Sequence, residues 1–270
     1  PFIKPFQISL DVPSDITIHI SVGMPELPPQ CKQLSSARYL PQFQDDAWGQ
    51  YFYTLNKTET EFIILAGKEG DPDNRRMAIT DFSFRTWSVY LSESEATGKQ
   101  INPLNFPLGP LIFYYGLSSY KGFLLHASGI DANQKGYIFS GYSGIGKTTI
   151  SNLWLSNGAG LINDDRLAIR SASDGFDMYN TPMAYHQVAK SCPVSSIFLL
   201  KQSPENYAHK LSKSVALARV LSMCIQHDHD KILVDNLVKS VHALVEEVPV
   251  YELGFRPDYS IVDYMKENDL

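Results

Sequence analysis

The spacing of hydrophobic and polar positions changes along this chain and divides it. Over residues 1 to about 100, short β-forming runs alternate with turn residues, at 15–22, 49–55, 61–66, 76–84 and 86–91. Between them, Met24-Pro25-Glu26-Leu27-Pro28-Pro29 and Gly70-Asp71-Pro72-Asp73-Asn74 read as loops. This pattern predicts a small, mostly antiparallel β unit. Its aromatics, Trp48, Tyr51, Phe52, Tyr53, Phe82, Phe84 and Trp87, are expected in its core and in cross-strand pairs.

From Asn102 onward the periods are mixed. Residues 110–120 fit a helix packed on the following domain. The apolar runs 123–130 and 136–140, joined by Asp131-Ala132-Asn133-Gln134-Lys135, predict a hairpin. A helix is expected over 148–156, stopped by Asn157-Gly158. Runs at 161–169 and 176–179 bracket a turn at 171–175 and predict a second hairpin, and 194–200 reads as a buried strand. Helices follow at 215–226 and 231–245, then a strand at 248–253 and a terminal helix at 259–267. Leu217, Val220, Leu221, Ile225, Leu233, Leu237, Val241 and Leu244 recur at helical spacing and read as core. Asp235, Lys239 and Glu246 read as solvated surface. The fold class is therefore α/β: a mixed sheet flanked by helices over 105–270, beside a smaller β-rich domain over 1–104.

Composition narrows the function classes. The chain has 270 residues, 44% hydrophobic and 19% charged, which supports a well-buried core. The net charge is −6, and no long Lys/Arg run occurs, so nucleic-acid binding as a main task is disfavoured. Three cysteines, Cys31, Cys192 and Cys224, are odd in number and widely spaced, as for reduced thiols in a cytoplasm. The N-terminal residues lack the layout of a signal peptide. The apolar stretch 106–125 is broken by Pro107, Pro110, Ser118, Ser119 and Lys121, and reads as a buried helix and strand rather than a membrane span.

One motif carries chemistry. Gly141-Tyr142-Ser143-Gly144-Ile145-Gly146-Lys147-Thr148 has the spacing of a Walker A phosphate loop. Its glycines let the backbone turn tightly and present successive N–H groups to phosphates at a helix N-terminus. Ser143, Ile145 and Thr149 complete the expected nucleotide-binding set. Lys147 would reach the β- and γ-phosphates, and the Thr148 hydroxyl would ligate Mg²⁺. A β-forming run, Tyr137-Ile138-Phe139-Ser140, precedes the loop and a helix follows, as the motif requires. Asn163-Asp164-Asp165 closes an apolar run shortly after. If the backbone bends there, both carboxylates enter the site, one for Mg²⁺ and one as general base toward an acceptor hydroxyl. The bland alternative is a solvated acidic turn paired with Arg166. His126, on the strand before the hairpin turn, is a further candidate near the phosphates. Gln226-His227-Asp228-His229-Asp230 has metal-ligand composition but no further ligand set, and reads as a helix end and cap.

The segments Leu125-His126-Ala127-Ser128-Gly129-Ile130, then 136–149, then Leu161-Ile162-Asn163-Asp164-Asp165 resemble the catalytic domain of bacterial HPr kinase/phosphorylase, itself similar to the nucleotide core of ATP-dependent phosphoenolpyruvate carboxykinase. The resemblance covers about 105–260 and is specific over 125–165. It implies an ATP- and Mg²⁺-dependent kinase, with GTP as the alternative nucleotide. It assigns Lys147 to the phosphates, Thr148 and Asp164 to the metal, Asp165 to the acceptor hydroxyl as base, and His126 beside the transferred phosphate. It implies a hydroxyl-bearing protein, peptide or small molecule as acceptor, and hexamers are frequent in that family. The departures are Thr148-Thr149 at the loop end, which keeps the hydroxyl, and Gln187 where relatives carry Glu. No segment matches the arginine-containing stretch that engages HPr, so HPr is not the expected acceptor. The runner-up is a nucleotide-binding accessory protein with little transferase activity, supported by Gln187. A carboxykinase-type enzyme would need a carboxylate-binding arginine set that the sequence does not display.

Overall fold

The computed structural model describes residues 15–39, 51–93, 104, 106–181, 189–227 and 231–270. Two compact units emerge. The first takes the described part of Ser9–Ser119 together with His227 and Lys231; the second takes the described parts of Tyr120–Gln226 and Ile232–Leu270. Both are built on sheets, and the second mixes strands with helices.

In the first unit, six strands run in the order β1-β6-β5-β4-β3-β2. They are β1 (Thr17–Val22), β2 (Lys32–Tyr39), β3 (Tyr51–Lys57), β4 (Glu61–Lys68), β5 (Asp71–Asp81) and β6 (Thr86–Leu91). All neighbours are antiparallel except β1 and β6. β2 escaped the sequence reading because Lys32-Gln33-Leu34-Ser35-Ser36-Ala37-Arg38-Tyr39 has little apolar alternation; backbone pairing with β3 at the sheet edge holds it. Residues 71–74, read as a loop, belong to β5 as an irregularity: Lys68 pairs with Asp71 while Gly67 pairs with Arg75. β5 ends at Asp81, short of the expected 84. There the Asp81 carboxylate accepts the Ser83 N–H at 2.9 Å and Phe84 takes a left-handed φ of 55°.

Trp87, Phe62 and Phe84 are buried between this sheet and α1 (Leu108–Ser118), whose Tyr115 lies 4.6 Å from Phe62 and 5.3 Å from Phe84, centroid to centroid. α1 thus packs against this unit's own sheet. Tyr53 is buried as expected, whereas Phe82 is exposed, and Trp48 lies outside the described residues.

The second unit is an eight-stranded sheet in the order β11-β10-β7-β8-β12-β14-β13, with β9 beside β7. Its strands are β7 (Phe123–Ala132), β8 (Lys135–Ser140), β9 (Gly160–Asn163), β10 (Arg166–Ser171), β11 (Phe176–Asn180), β12 (Ser191–Gln202), β13 (Tyr207–Lys210) and β14 (Val250–Phe255). Alternate residues serve two cores. Leu125, Ala127, Ile138, Leu167, Ile197 and Leu199 meet α3 (Lys213–Met223) and α4 (Lys231–Glu247) through Val220, Leu237, Val241 and Leu244. Tyr137, Phe139, Phe198, Leu200 and Phe255 meet α2 (Lys147–Leu155) and α5 (Ser260–Glu267) through Ile150, Trp154, Ile261 and Met265. Helices therefore cover both faces of a mixed sheet. Asp235, Lys239 and Glu246 are exposed, as read.

The β7–β8 hairpin is tighter than the five-residue turn expected. Only Asn133 and Gln134 form it, with φ of 58° and 66°, and Gln134 N–H donates to the Asp131 carboxylate at 2.6 Å. Two successive left-handed residues match the twist of the strands but strain a side-chain-bearing residue. Gln134→Gly is therefore expected to raise unfolding stability by about 0.5–1 kcal/mol, as relief of that strain outweighs the added chain entropy. A rise in the urea midpoint with unchanged slope is the readout, and a fall would contradict the turn geometry.

Candidate functional site

The register of β7 assembles the site. On one side β7 pairs antiparallel with β8, Ala127 opposite Ser140, which puts the first residue of the glycine loop next to His126. On its other side β7 pairs with β10, His126 opposite Arg166, and with β9, Gly129 opposite Asn163. The run 161–169, read as one strand, is thus two strands along one track, interrupted by Asp164-Asp165. The bend is held by Asn163, whose side-chain oxygen accepts the Asp165 N–H at 3.1 Å, and by Ala127 N–H donating to the Asp165 carbonyl at 3.1 Å. Both aspartates are half-buried. Asp165 Oδ1 lies 3.5 Å from His126 Nε2, and Asp165 Oδ2 lies 3.2 Å from Arg166 Nε. The first separation is within reach of electrostatics but long for a well-made hydrogen bond. The pairing with Arg166, named as the mark of a plain acidic turn, is present together with the histidine contact.

The loop between β8 and α2 takes conformations that favour glycine: φ is 152° at Gly141, 81° at Gly144 and 115° at Gly146. Gly146 also has no room for a side chain, since a Cβ there would meet the Phe255 ring at 2.8 Å. Ile145 anchors the loop in the core, while Tyr142, Ser143, Gly144, Thr148 and Thr149 are exposed. Lys147 is 8% exposed, and its ammonium donates to the Gly141 carbonyl at 3.0 Å and the Tyr142 carbonyl at 3.3 Å. The α2 N-terminus carries no side-chain cap, so its first N–H groups are not taken up by a capping side chain.

Buried hydroxyls tie these parts together, and the sequence reading gave them no role. Ser128 of β7 and Ser151 of α2 share a hydrogen bond of 2.6 Å, and the Ser128 hydroxyl also donates to the Asn163 carbonyl at 3.2 Å. Ser140 donates to the His126 carbonyl at 2.8 Å. Thr181 links Asn163 Nδ2 at 3.3 Å with the Arg166 carbonyl at 3.2 Å. The available signal was a serine at an inward-facing position of an otherwise apolar strand: buried polar groups persist when paired.

Electrostatics couple the cluster. Burial pushes the His126 pKa below its usual 6.5; the Lys147 and Arg166 charges push the same way, and Asp165 opposes them. Burial likewise lowers Lys147, with Asp165 opposing. His126 is therefore held toward the neutral imidazole.

The other candidate histidine cluster behaves differently. His227 lies among tyrosines of the first unit, with Tyr53 Oη 3.2 Å from Nδ1, Tyr114 edge-on at 5.1 Å, and the Tyr115 hydroxyl donating to its carbonyl at 2.8 Å. Asp228, His229 and Asp230 lie outside the described residues, as do His186 and Gln187. Among the described residues no group of three or more His, Cys, Asp or Glu is placed to hold a metal ion, and no helix is long and apolar enough to cross a membrane.

No protein-family model matches this chain, and neither does any curated protein. Among solved structures, the Hpr(Ser) kinase/phosphatase from Coxiella burnetii is similar to it, with a TM-score of 0.35 and 12% identity over 54% of this chain and 95% of that one. A likeness of that size fixes neither activity nor site.

The His126 environment gives a signed test. Its folded pKa lies below the unfolded value, so its contribution to stability is complete above about pH 6.5 and is lost as pH falls through the folded pKa. Removing the neighbouring cation in Lys147→Met is expected to raise the His126 pKa, and Asp165→Asn to lower it further. An NMR titration of the imidazole reads both directions, and an imidazole pKa unchanged in both variants would show that these groups are not coupled.

Proposed function

We propose that this chain is an ATP- and Mg²⁺-dependent kinase that transfers the terminal phosphate to a hydroxyl, of a serine in a protein or peptide or of a small molecule. The observation that carries the reading is the convergence, through one strand register, of a glycine-built phosphate loop with a half-buried aspartate facing a histidine. A phosphate-binding loop alone supports nucleotide binding. A positioned carboxylate beside it adds a place for the acceptor proton.

The residues divide the work. Backbone N–H groups of Gly144, Ile145, Gly146, Lys147 and Thr148 would cradle the phosphates, with Ser143 and Thr149 at the loop margins. The Lys147 ammonium, which donates to loop carbonyls, would turn to the β- and γ-phosphates and offset charge there. Thr148 and Asp164 supply hard oxygen donors suited to Mg²⁺, and with so few protein ligands an ion would be completed by phosphate oxygens and water. When bound, Mg²⁺ supplies charge neutralisation on the phosphates. Asp165 takes the acceptor hydroxyl proton; the acceptor oxygen bonds to the γ-phosphorus as the bond from phosphorus to the bridging β-oxygen breaks, and ADP leaves. His126, held neutral, lines that path without adding a positive charge that would pair off the base.

The test uses γ-labelled ATP with Mg²⁺ against protein and small-molecule fractions of the source cell. Wild type is expected to label an acceptor. Asp165→Asn is expected to lower kcat by about 10²–10⁴-fold, and Lys147→Ala by about 10²-fold or more while weakening nucleotide binding. Tight nucleotide binding with no labelled acceptor in any fraction would replace this reading with that of a nucleotide-binding accessory protein.

A further inference from the structure

Asn163 ends β9 and is buried, yet its polar groups hold three separate stretches of chain. Its side-chain oxygen accepts the Asp165 N–H at 3.1 Å, its amide nitrogen donates to the Thr181 hydroxyl at 3.3 Å, and its carbonyl accepts the Ser128 hydroxyl at 3.2 Å. Chemistry fixes the directions. A backbone N–H only donates, so the amide oxygen must face Asp165. The Thr181 proton is committed to the Arg166 carbonyl at 3.2 Å, so the Thr181 oxygen takes a donor, which an asparagine supplies and an aspartate does not. The Ser128 proton is committed to Asn163, so Ser151 is the donor in the 2.6 Å bond between the two serines. A continuous path of hydrogen bonds thus leads from α2 to the aspartate bend: Ser151 to Ser128, Ser128 to the Asn163 carbonyl, and the Asp165 N–H back to the Asn163 side chain. Ser151 stands four residues after Lys147, on the same face of α2. A rotation of α2 that moved the Lys147 ammonium would move Ser151 with it.

We infer that Asn163 is the positioning residue for the base Asp165, and that Ser128 and Ser151 set its orientation from the helix that carries Lys147. The inference rests on the phosphate-transfer reading above and deepens it. Ser128, Ser151, Asn163 and Thr181 are all buried. Such a network adds little net stability over apolar packing of the same shape, since its groups give up water to form it. What it adds is one defined geometry. Through it, the ammonium meant for the phosphates and the carboxylate meant for the acceptor share one reference. Asn163 and the serines act through Asp165 and not on the nucleotide. Because a misplacement of about 1 Å costs about 10²-fold in rate, turnover depends on this path while nucleotide affinity does not.

The test compares two readouts in the full chain: Mg²⁺–ATP affinity by calorimetry, and single-turnover release of phosphate from Mg²⁺–ATP with water standing in for the acceptor. Asp165→Asn supplies the rate without the base. Asn163→Ala is expected to lower the rate about 10²-fold while ATP affinity stays within about twofold. Asn163→Ser keeps an oxygen that accepts the Asp165 N–H in the same kind of turn, and is expected to recover about tenfold of that loss. Ser128→Ala and Ser151→Ala are each expected to lower the rate about two- to thirtyfold. Their double variant should lose no more than the larger single effect, as members of one path. Exchange of the Asp165 amide hydrogen, followed by NMR without nucleotide, should quicken in Asn163→Ala and in both serine variants. Equal losses in Asn163→Ala and Asn163→Ser, ATP affinity that falls in step with the rate, serine effects that multiply, or an Asp165 amide that exchanges no faster in the variants overturns the positioning role and leaves Asp165 as base. A wild-type rate no faster than that of Asp165→Asn removes the base itself, so the failure then belongs to the phosphate-transfer reading.

Discussion

The candidate site depends on the register of one strand. β7 is paired along both edges, with β8 on one and with β9 and β10 on the other. Because side chains alternate across a sheet, a slip of one residue would turn His126 toward the core face now filled by Leu125 and Ala127 and bring those out. It would also displace Ser128 from Ser151. The apolar pattern of β7 therefore fixes which residues face α2, and the two pairings then carry the glycine loop and the aspartate bend to that same face. Precision at the site is inherited from the packing of a core that takes no part in the chemistry.

Within that frame the polar groups are balanced against burial rather than placed freely. Lys147 keeps a charge at a nearly buried position by donating to two loop carbonyls, and Asp165 offsets part of its desolvation. His126 meets the opposite balance, since burial and two cations outweigh one carboxylate. The serine pair between β7 and α2 is a short, buried link between the strand that carries the histidine and the helix that follows the loop. An apolar pair of the same volume would pack as well, but it would not orient the Asn163 carbonyl or the bend that Asn163 holds.

Most of the second unit was legible in the sequence because its elements are long and strongly periodic: β7, β8, α2, α4 and α5 stand within a few residues of where the spacing put them. The Schellman-type stop at Gly158, where Ala159 N–H donates to the Trp154 carbonyl and Gly158 N–H to the Leu155 carbonyl, was foreshadowed by Asn157-Gly158. What the sequence hid is of two kinds. β2 and β13 are strands at sheet edges, held by backbone pairing that leaves little trace in side-chain pattern. The break between β9 and β10 was masked by the continuous apolar run around it, although the need for a bend at Asp164-Asp165 was readable from the chemistry. The glycine loop was legible as a motif; its far flank was not, since Gln202 and Phe255 meet only through the parallel pairing of β12 with β14.

The local stability of α2 runs against the placement of the site, and the conflict is informative. Lys147-Thr148-Thr149-Ile150-Ser151-Asn152-Leu153-Trp154-Leu155 has two threonines, a serine and an asparagine among nine residues, and a left-handed glycine where a capping side chain would stand. Such a sequence is a weak helix former by itself. Its helical state comes from Ile150 and Trp154 in the core, from the Ser151–Ser128 bond, and from the glycine stop at its C-terminus. An aspartate or serine at position 146 would cap the helix and be worth about 1 kcal/mol, but its side chain would meet Phe255 and occupy the N–H groups that the first turn leaves uncapped. The chain thus forgoes local stability at the helix end that follows the loop and recovers it from tertiary packing elsewhere.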